Sequence, residues 1–408
     1  GTVMLREIST LKLGIVNIGS LVRKSQEFID LLDDVNIKLL KTIEKYGPRN
    51  MMLISRATGI PKSTVYMRLR KIKEAGISFA PTVQASKMGL GIIYAIAVPY
   101  LGRLNIAYNA LDLEWTYRLS IVNPFRPQIF VKAYYPYPHY DVITNYLEKL
   151  KDMRIIKSYK VFLVNDEMRT PKLDEKYYDL ENKQVILPWG KWYDEIVSHT
   201  NANNQVAPLP LEDAEKYDLR VDKYDILITD YLMVDSSMDF VEIAKKIGLS
   251  PPTVRHHYIK HILRERIIVN YMPRFLLFHP SFGILAPMLV NFVDKKSMYS
   301  FVNTLWGSPI MELVSKIQGD FSIFATFNIP RTHEANLIEF MEMLVDENIV
   351  YSYKMFPIVP GTVSSWSLPV DNFVGGKWIM GYEEAKKKLK NLKSELARRR
   401  LAVIERTK

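Results

Sequence analysis

The feature that most narrows what this chain can fold into is that it repeats itself. Gly59-Ile60-Pro61-Lys62-Ser63-Thr64-Val65 is echoed by Gly248-Leu249-Ser250-Pro251-Pro252-Thr253-Val254, with Thr64-Val65 returning as Thr253-Val254 after 189 residues. Ser158-Tyr159-Lys160-Val161-Phe162 comes back as Ser352-Tyr353-Lys354-Met355-Phe356. Leu187-Pro188 ahead of Gly190-Lys191-Trp192 is matched by Leu368-Pro369 ahead of Gly376-Lys377-Trp378. Three echoes in the same order at nearly constant offset imply an internal duplication. The 408 residues therefore read as two related units of several domains, not as one large core.

Within each unit the echoing glycine segment looks like the second half of a helix-turn-helix. Gly59 can take the positive φ that a tight turn needs, and Pro61 stands where a helix can begin. Val65, Leu69 and Ile72 then recur at i, i+4 and i+7, one apolar stripe to pack inward. The other face carries Lys62, Ser63, Thr64, Tyr66, Met67, Arg68, Arg70 and Lys71, a row of donors and cations suited to base edges and phosphates in a major groove. A plain solvated helix face has the same look, and the repetition is what favours the sharper reading. In the second copy Thr253, Arg255, His256, His257 and Lys260 point away from Val254 and Tyr258. Different donors suit different bases, so unequal half-sites are expected, unless the second module has lapsed into a packing role.

Composition is that of ordinary globular protein, 48% apolar and 24% charged, with a net charge of +11 that favours a polyanionic partner. With no cysteine, disulfides, thiolate metal sites and cysteine nucleophiles are excluded. No stretch approaches the roughly 18 apolar residues of a membrane span, and no signal-peptide pattern opens the chain, so a cytoplasmic, nucleoid-associated protein without membrane contact is expected.

Taken in order, residues 1–33 form a lead-in with a helix over Val22–Leu32. Residues 34–86 hold three helices, with Ile77–Val83 supplying the two short strands of a wing. Residues 87–165 follow β-α-β-β-α-β, the order of a ferredoxin-like unit, with a helix over Leu104–Trp115 and a turn at Asn123-Pro124. A polar connector spans 166–221, anchored by Trp189 and Trp192, with a loose stretch at Asn201–Gln205. The series restarts with a second three-helix module over 222–275 and a second ferredoxin-like domain over 276–362. Pro287 falls inside a strand of that domain, which predicts a bulge or an edge. The fold class is α+β, a tandem winged helix-turn-helix plus ferredoxin-like domain, closed over 363–408 by a basic C-terminal helix.

Those residues resemble the Lrp/AsnC, or feast/famine, family of transcription regulators. Leu32-Asp33-Asp34-Val35-Asn36-Ile37-Lys38-Leu39-Leu40 is similar to the family's opening helix, Gly59–Ile72 to its recognition segment, and Lys87-Met88-Gly89-Leu90-Gly91 to the hinge into its sheet domain. Gly319-Asp320-Phe321-Ser322 resembles the glycine-acid turn where family members place a small effector, which makes Gly319, Asp320 and Ser322 effector candidates. A tight hairpin turn explains the same residues and is the preferred reading. In the first unit Asn123-Pro124-Phe125-Arg126-Pro127 stands in place of that turn. The resemblance implies a covalent pseudo-dimer whose two sheets face each other, assembling further into a homodimer on double-stranded DNA.

From Glu383 to Lys408 ten basic residues and four acidic ones surround Leu389, Leu392 and Leu396. Lys386, Lys387, Lys390, Arg398 and Arg399 suit a helix lying on DNA, and the leucines suit an arm that packs or pairs; both can hold at once. His257 and His261 stand at the i, i+4 spacing of paired imidazole ligands, but no third ligand is apparent near them in sequence, so phosphate contact or plain surface is preferred to metal. No cofactor-binding or catalytic motif is found. The chain thus reads as a sequence-specific DNA-binding transcription regulator and not an enzyme. The rival readings are a nucleoid or genomic-repeat binder, and an enzyme like the siroheme decarboxylases built on the same plan, for which Arg274 and His279 are available.

Overall fold

The computed structural model describes residues 29–201, 211, 213–214 and 216–407. Residues 22–28 of the expected lead-in helix lie outside these; Ile29–Leu31 are helical and Leu32 is not. Residues 202–210, which hold most of the loose Asn201–Gln205 stretch, also lie outside the described residues.

The first module consists of α1 (Asp34–Tyr46), α2 (Met51–Thr58) and α3 (Lys62–Glu74). Asp33 caps α1 by accepting the Asn36 N–H at 2.7 Å, which satisfies one of the donors a helix start leaves open. Gly59 ends α2 at φ 71°, and Val65 and Ile72 on α3 are buried as their spacing predicts. β1 (Ser78–Val83) follows, and here the wing departs from expectation. Its partner is not a neighbouring strand but β9 (Ile268–Arg274) of the other module, from Ser78↔Arg274 to Val83↔Ile268. One strand from each module makes a shared wing. Pro81 is tolerated because a two-stranded ribbon has a free edge for each strand.

The first ferredoxin-like domain runs β2 (Leu90–Pro99), α4 (Leu104–Ala110), β3 (Thr116–Val122), β4 (Gln128–Pro136), α5 (Asp141–Asp152) and β5 (Ile156–Val164). Helix α4 stops five residues short of the expected end. Next come β6 (Met168–Arg169), a small hairpin of β7 (Tyr178–Asp179) and β8 (Gln184–Val185), and α6 (Trp189–Asn201). The second module is α7 (Lys223–Val234), α8 (Phe240–Ile247) and α9 (Pro251–His257), the last continuing as a π-type turn over Tyr258–Leu263. The second ferredoxin-like domain comprises β10 (Gly283–Phe292), α10 (Lys295–Leu305), β11 (Met311–Lys316), β12 (Ser322–Pro330), α11 (Glu334–Asp346) and β13 (Val350–Met355). The chain closes with β14 (Ser364–Ser365), a hairpin of β15 (Phe373–Val374) and β16 (Lys377–Trp378), and the long α12 (Tyr382–Arg406).

The halves are crossed. Strand order is β14-β3-β4-β2-β5 in one sheet and β13-β10-β12-β11-β6 in the other, so each sheet takes its fifth strand from the opposite half. The trailing segments follow the same rule. Helix α6 of the expected connector packs on α10 and α11 of the second half, burying Trp192, while α12 packs on α4 and α5 of the first. The winged modules also sit across the divide. Ile37, Leu40 and Ile72 share a core with Val290, Phe301 and Phe327; Ile226, Val254 and Ile262 share one with Ile93, Leu119 and Val131.

The two sheets meet face to face around Phe324, whose ring lies 5.2 Å from Tyr94, 5.7 Å from Phe130 and 5.0 Å from Phe162. Edge-to-face pairs of this kind add about 0.5–1.5 kcal/mol each beyond the area they bury. Pro287 produces no bulge. The β10–β12 register runs unbroken from Gly283↔Pro330 to Asn291↔Ser322, and Pro287 falls where the ladder to β13 ends, so its missing donor costs little. Among the described residues no helix is long and apolar enough to cross a membrane.

Candidate nucleic-acid interface and an internal cationic cleft

Helix α3 turns Val65 and Ile72 inward and leaves Lys62, Ser63, Tyr66, Met67, Arg70 and Lys71 exposed, with Thr64 half-buried. Tyr66 and Met67 are 54% and 50% exposed and so open to contact with bases. Among the described residues Arg70 is tethered only by Glu74, one turn on, at 3.1 Å. Arg68 departs from the expected row. Its guanidinium reaches back to the Asp33 carboxylate and, at 3.4 Å, to Asn36 Oδ1, so it braces α3 against the start of α1 instead of facing outward.

In the second module Arg255, His256 and Lys260 are exposed and Thr253 is half-buried, its hydroxyl 2.7 Å from Ser250 Oγ at the helix start. His257 again departs from expectation. Its side chain is 11% exposed and its Nδ1 lies 2.7 Å from the buried Asp225 carboxylate, so the ring faces the protein. The modules touch through Arg49, whose guanidinium lies 4.0 Å above the Phe240 ring and donates to the Met238 carbonyl.

On α12, Leu389 and Leu392 are buried against the first ferredoxin-like domain and Lys388 donates to the Asp112 carbonyl. Lys386, Lys387, Lys390, Arg398 and Arg399 are exposed, with Lys386 3.7 Å from Glu383 and Arg399 3.0 Å from Glu395. Beyond the packed turns Leu401, Val403 and Ile404 stay 60%, 62% and 48% exposed.

The effector candidates form a hairpin turn between β11 and β12. Gly319, at φ 72°, donates its N–H to Asp213 at 2.9 Å, Asp320 N–H closes on the Ile317 carbonyl, and Ser322 is buried, donating to Asn291 at 2.6 Å. Turn chemistry accounts for all three residues.

A second candidate site lies between the halves, and little in the sequence pattern draws its residues together. A cleft of about 1260 Å³ is lined by Arg118 on β3, Arg169 on β6 and Arg274 at the end of β9. Among the described residues none of these three forms an ion pair; Arg274 donates to the Met233 carbonyl at 3.0 Å. Burial, with Arg169 and Arg118 beside it, brings Arg274 down to about 10. Burial and the same neighbour Arg118 hold Arg169 below its ordinary value. The cations crowd one another, and a bound anion would relieve that repulsion. Along the cleft wall Lys132 donates to Glu167 at 2.8 Å, and Tyr117 and Tyr94 donate to the same carboxylate. Burial alone would raise Glu167, but Lys132 and the hydrogen bonds outweigh it and hold the group at about 2. The signal in sequence is Arg118 and Lys132, charges inside otherwise apolar strands; Arg169 gives none, since it falls in a two-residue strand. His279, paired with Arg274 in the enzyme alternative, does not line the cleft and instead lies 2.8 Å from Ser281 Oγ.

No protein-family model matches the chain. It is 29% identical over 70 residues to the HTH-type transcriptional regulator FL11 of Pyrococcus furiosus, which covers 17% of this chain and 46% of that protein. The chain thus spans about half the length of the curated relatives it matches. Among solved structures it is similar to a siroheme decarboxylase NirDL, at 14% identity and a TM-score of 0.48, over 88% of this chain and 98% of that one. A transcriptional regulatory protein of Pyrococcus furiosus from the AsnC family aligns over 32% of this chain and 88% of that one, at 14% identity and a TM-score of 0.27. The paired helix-turn-helix modules agree with that local likeness to helix-turn-helix transcriptional regulators.

Proposed function

We propose that the chain is a sequence-specific, double-stranded-DNA-binding transcription regulator using two non-identical winged helix-turn-helix modules, a binding protein and not an enzyme. The observation that carries this is the outer face of α3, where Lys62, Ser63, Tyr66, Met67, Arg70 and Lys71 stand exposed above a buried apolar stripe. Base-edge donors and phosphate cations on one helix face are what major-groove reading needs. The exposed cations of α12 extend the same surface chemistry, and the bare Leu401, Val403 and Ile404 suit pairing with a second chain as a homodimer. The test is footprinting and binding selection on the full chain with Arg70→Ala and Lys71→Ala combined. Affinity should fall at least about tenfold, and the salt slope should shrink by about 0.9 for each phosphate no longer neutralised. An unchanged footprint and salt slope would remove α3 as the reader.

A second reading is favoured by the cleft. Three crowded guanidiniums suit a small polyanion, either an effector of the regulator or, in the enzyme alternative, the carboxylates of a tetrapyrrole. Titrating siroheme into the purified chain and following its absorbance distinguishes them: binding and decarboxylation would make the chain an enzyme.

A further inference from the structure

The second winged module contains a cluster that the proposed function does not use. Asp222 and Asp225 at the start of α7, and His257 and His261 on the continuous α9 helix, place one ligand atom each within 4.8 Å of one another. His257 Nδ1 lies 2.7 Å from Asp225 Oδ1 and 3.8 Å from Asp222 Oδ1, and His261 Nδ1 lies 3.0 Å from Asp225 Oδ1. Four donors bonded to one ion at about 2.0–2.2 Å would sit about 3.3–3.5 Å apart. The observed separations bracket that spacing, so little movement is needed to seat an ion. Asp225 is buried to 1% exposure, while Asp222 and His261 leave a path to solvent.

The duplication supplies an independent control. At the 189-residue offset Asp222, Asp225, His257 and His261 correspond to Asp33, Asn36, Arg68 and Ile72. In the first module the space between the helices is filled by the Arg68 guanidinium, bound to Asp33 and Asn36. One acid there faces one organic cation. In the second module the guanidinium is gone, Asn36 has become a second carboxylate, and two imidazoles enter. The site sets two carboxylates beside two imidazoles where its twin sets one carboxylate beside one guanidinium. The π-type winding over Tyr258–Leu263 begins between the two histidines, and such local widening is frequent at functional positions.

We propose that Asp222, Asp225, His257 and His261 bind a divalent cation of the Zn²⁺ class, which takes the place Arg68 holds in the first module. Two imidazoles with two carboxylates select a borderline transition ion over Mg²⁺ or Ca²⁺, which prefer oxygen donors throughout. Ligation through Nδ1 leaves each ring's proton on Nε2 and joins the α9 helix to α7. The ion would thereby fix the helix that exposes Arg255, His256 and Lys260. Metal uptake is measured directly, so this proposal stands or falls separately from DNA recognition.

The test is Zn²⁺ uptake by the chelator-stripped, full-length protein, by calorimetry with ZnCl₂ and elemental analysis after desalting, with Co²⁺ absorbance reporting nitrogen and oxygen ligation. One Zn²⁺ per chain is expected, weakened about 100-fold or more by His257→Gln with His261→Gln. His257→Arg should abolish uptake while keeping the fold by circular dichroism, because it restores the guanidinium of the first module. This single variant also covers the case in which the double variant fails to fold. No Zn²⁺ on the wild-type chain, or undiminished Zn²⁺ on the folded His257→Arg chain, would overturn the proposal.

Discussion

At the base of the first winged module a guanidinium fills the gap between two helices; at the same place in the second stand two imidazoles and an extra carboxylate. Around that gap the backbone devices are alike. Asp33 and Asp222 cap the opening helices, Gly59 and Gly248 make the left-handed turn, and Val65 and Val254 are fully buried. Where the two copies share a residue type it sets chain geometry, and where they part it sets charge. Glu44 repeats the lesson. Its carboxylate is largely buried on α1, and its counterpart 189 residues on is Met233. In the sheets, Lys132 sits in a buried ion pair where the matching position of the second unit, at an offset of 194, is Thr326.

The largest effect expected from breaking this comparison is at Lys132. Replacing Glu167 with alanine strands a buried ammonium, and urea unfolding should show a loss of about 3–5 kcal/mol. An intact midpoint would mean that water reaches the pair. Next comes Glu44, whose pKa burial raises from 4.5 to about 7, against the opposing pull of Lys41 and Lys172. The folded chain holds this proton more tightly than the unfolded one. The resulting stabilisation is therefore full below about pH 4.5 and is lost as pH rises through about 7, up to about 3 kcal/mol across the window. Glu44→Met should make the first module like the second and remove that part of the pH profile; thermal melts between pH 5 and 8 read it. In the cleft, Arg169→Ala should relieve the crowding of Arg274 and weaken any polyanion bound there by about tenfold or more, checked by calorimetry with tri- and tetracarboxylates. The smallest change is Arg68→Ala. Arg68 and Asp33 are both partly exposed, so about 1 kcal/mol is expected, with DNA contacts altered indirectly through the tilt of α3.

Much of this architecture is legible in the residues alone because helix and strand periodicities and turn glycines are local. The duplication, the α3 stripe and both β-α-β-β-α-β units follow from such signals. The crossing does not. Leu187–Trp192 and Leu368–Trp378 announce two similar trailing pieces, but nothing in their composition says which half each will cover. The shared wing is hidden for the same reason, since Ser78–Val83 carries strand chemistry without naming Ile268–Arg274 as its partner. The histidine pair is visible at i, i+4, yet its acids lie 32 to 39 residues upstream on another helix and belong to a capping box that looks purely structural. Applying the 189-residue offset to Asp33 and Arg68 leads to them.

The borrowed strands β6 and β14 carry one more consequence. Severed from its twin, either half would keep a four-stranded sheet whose outer strand, β3 or β11, offers unmet backbone donors and acceptors to any passing chain. Genetic fission or loss of one copy would thus yield a sticky fragment in place of a smaller working protein, which binds the two copies to a common fate.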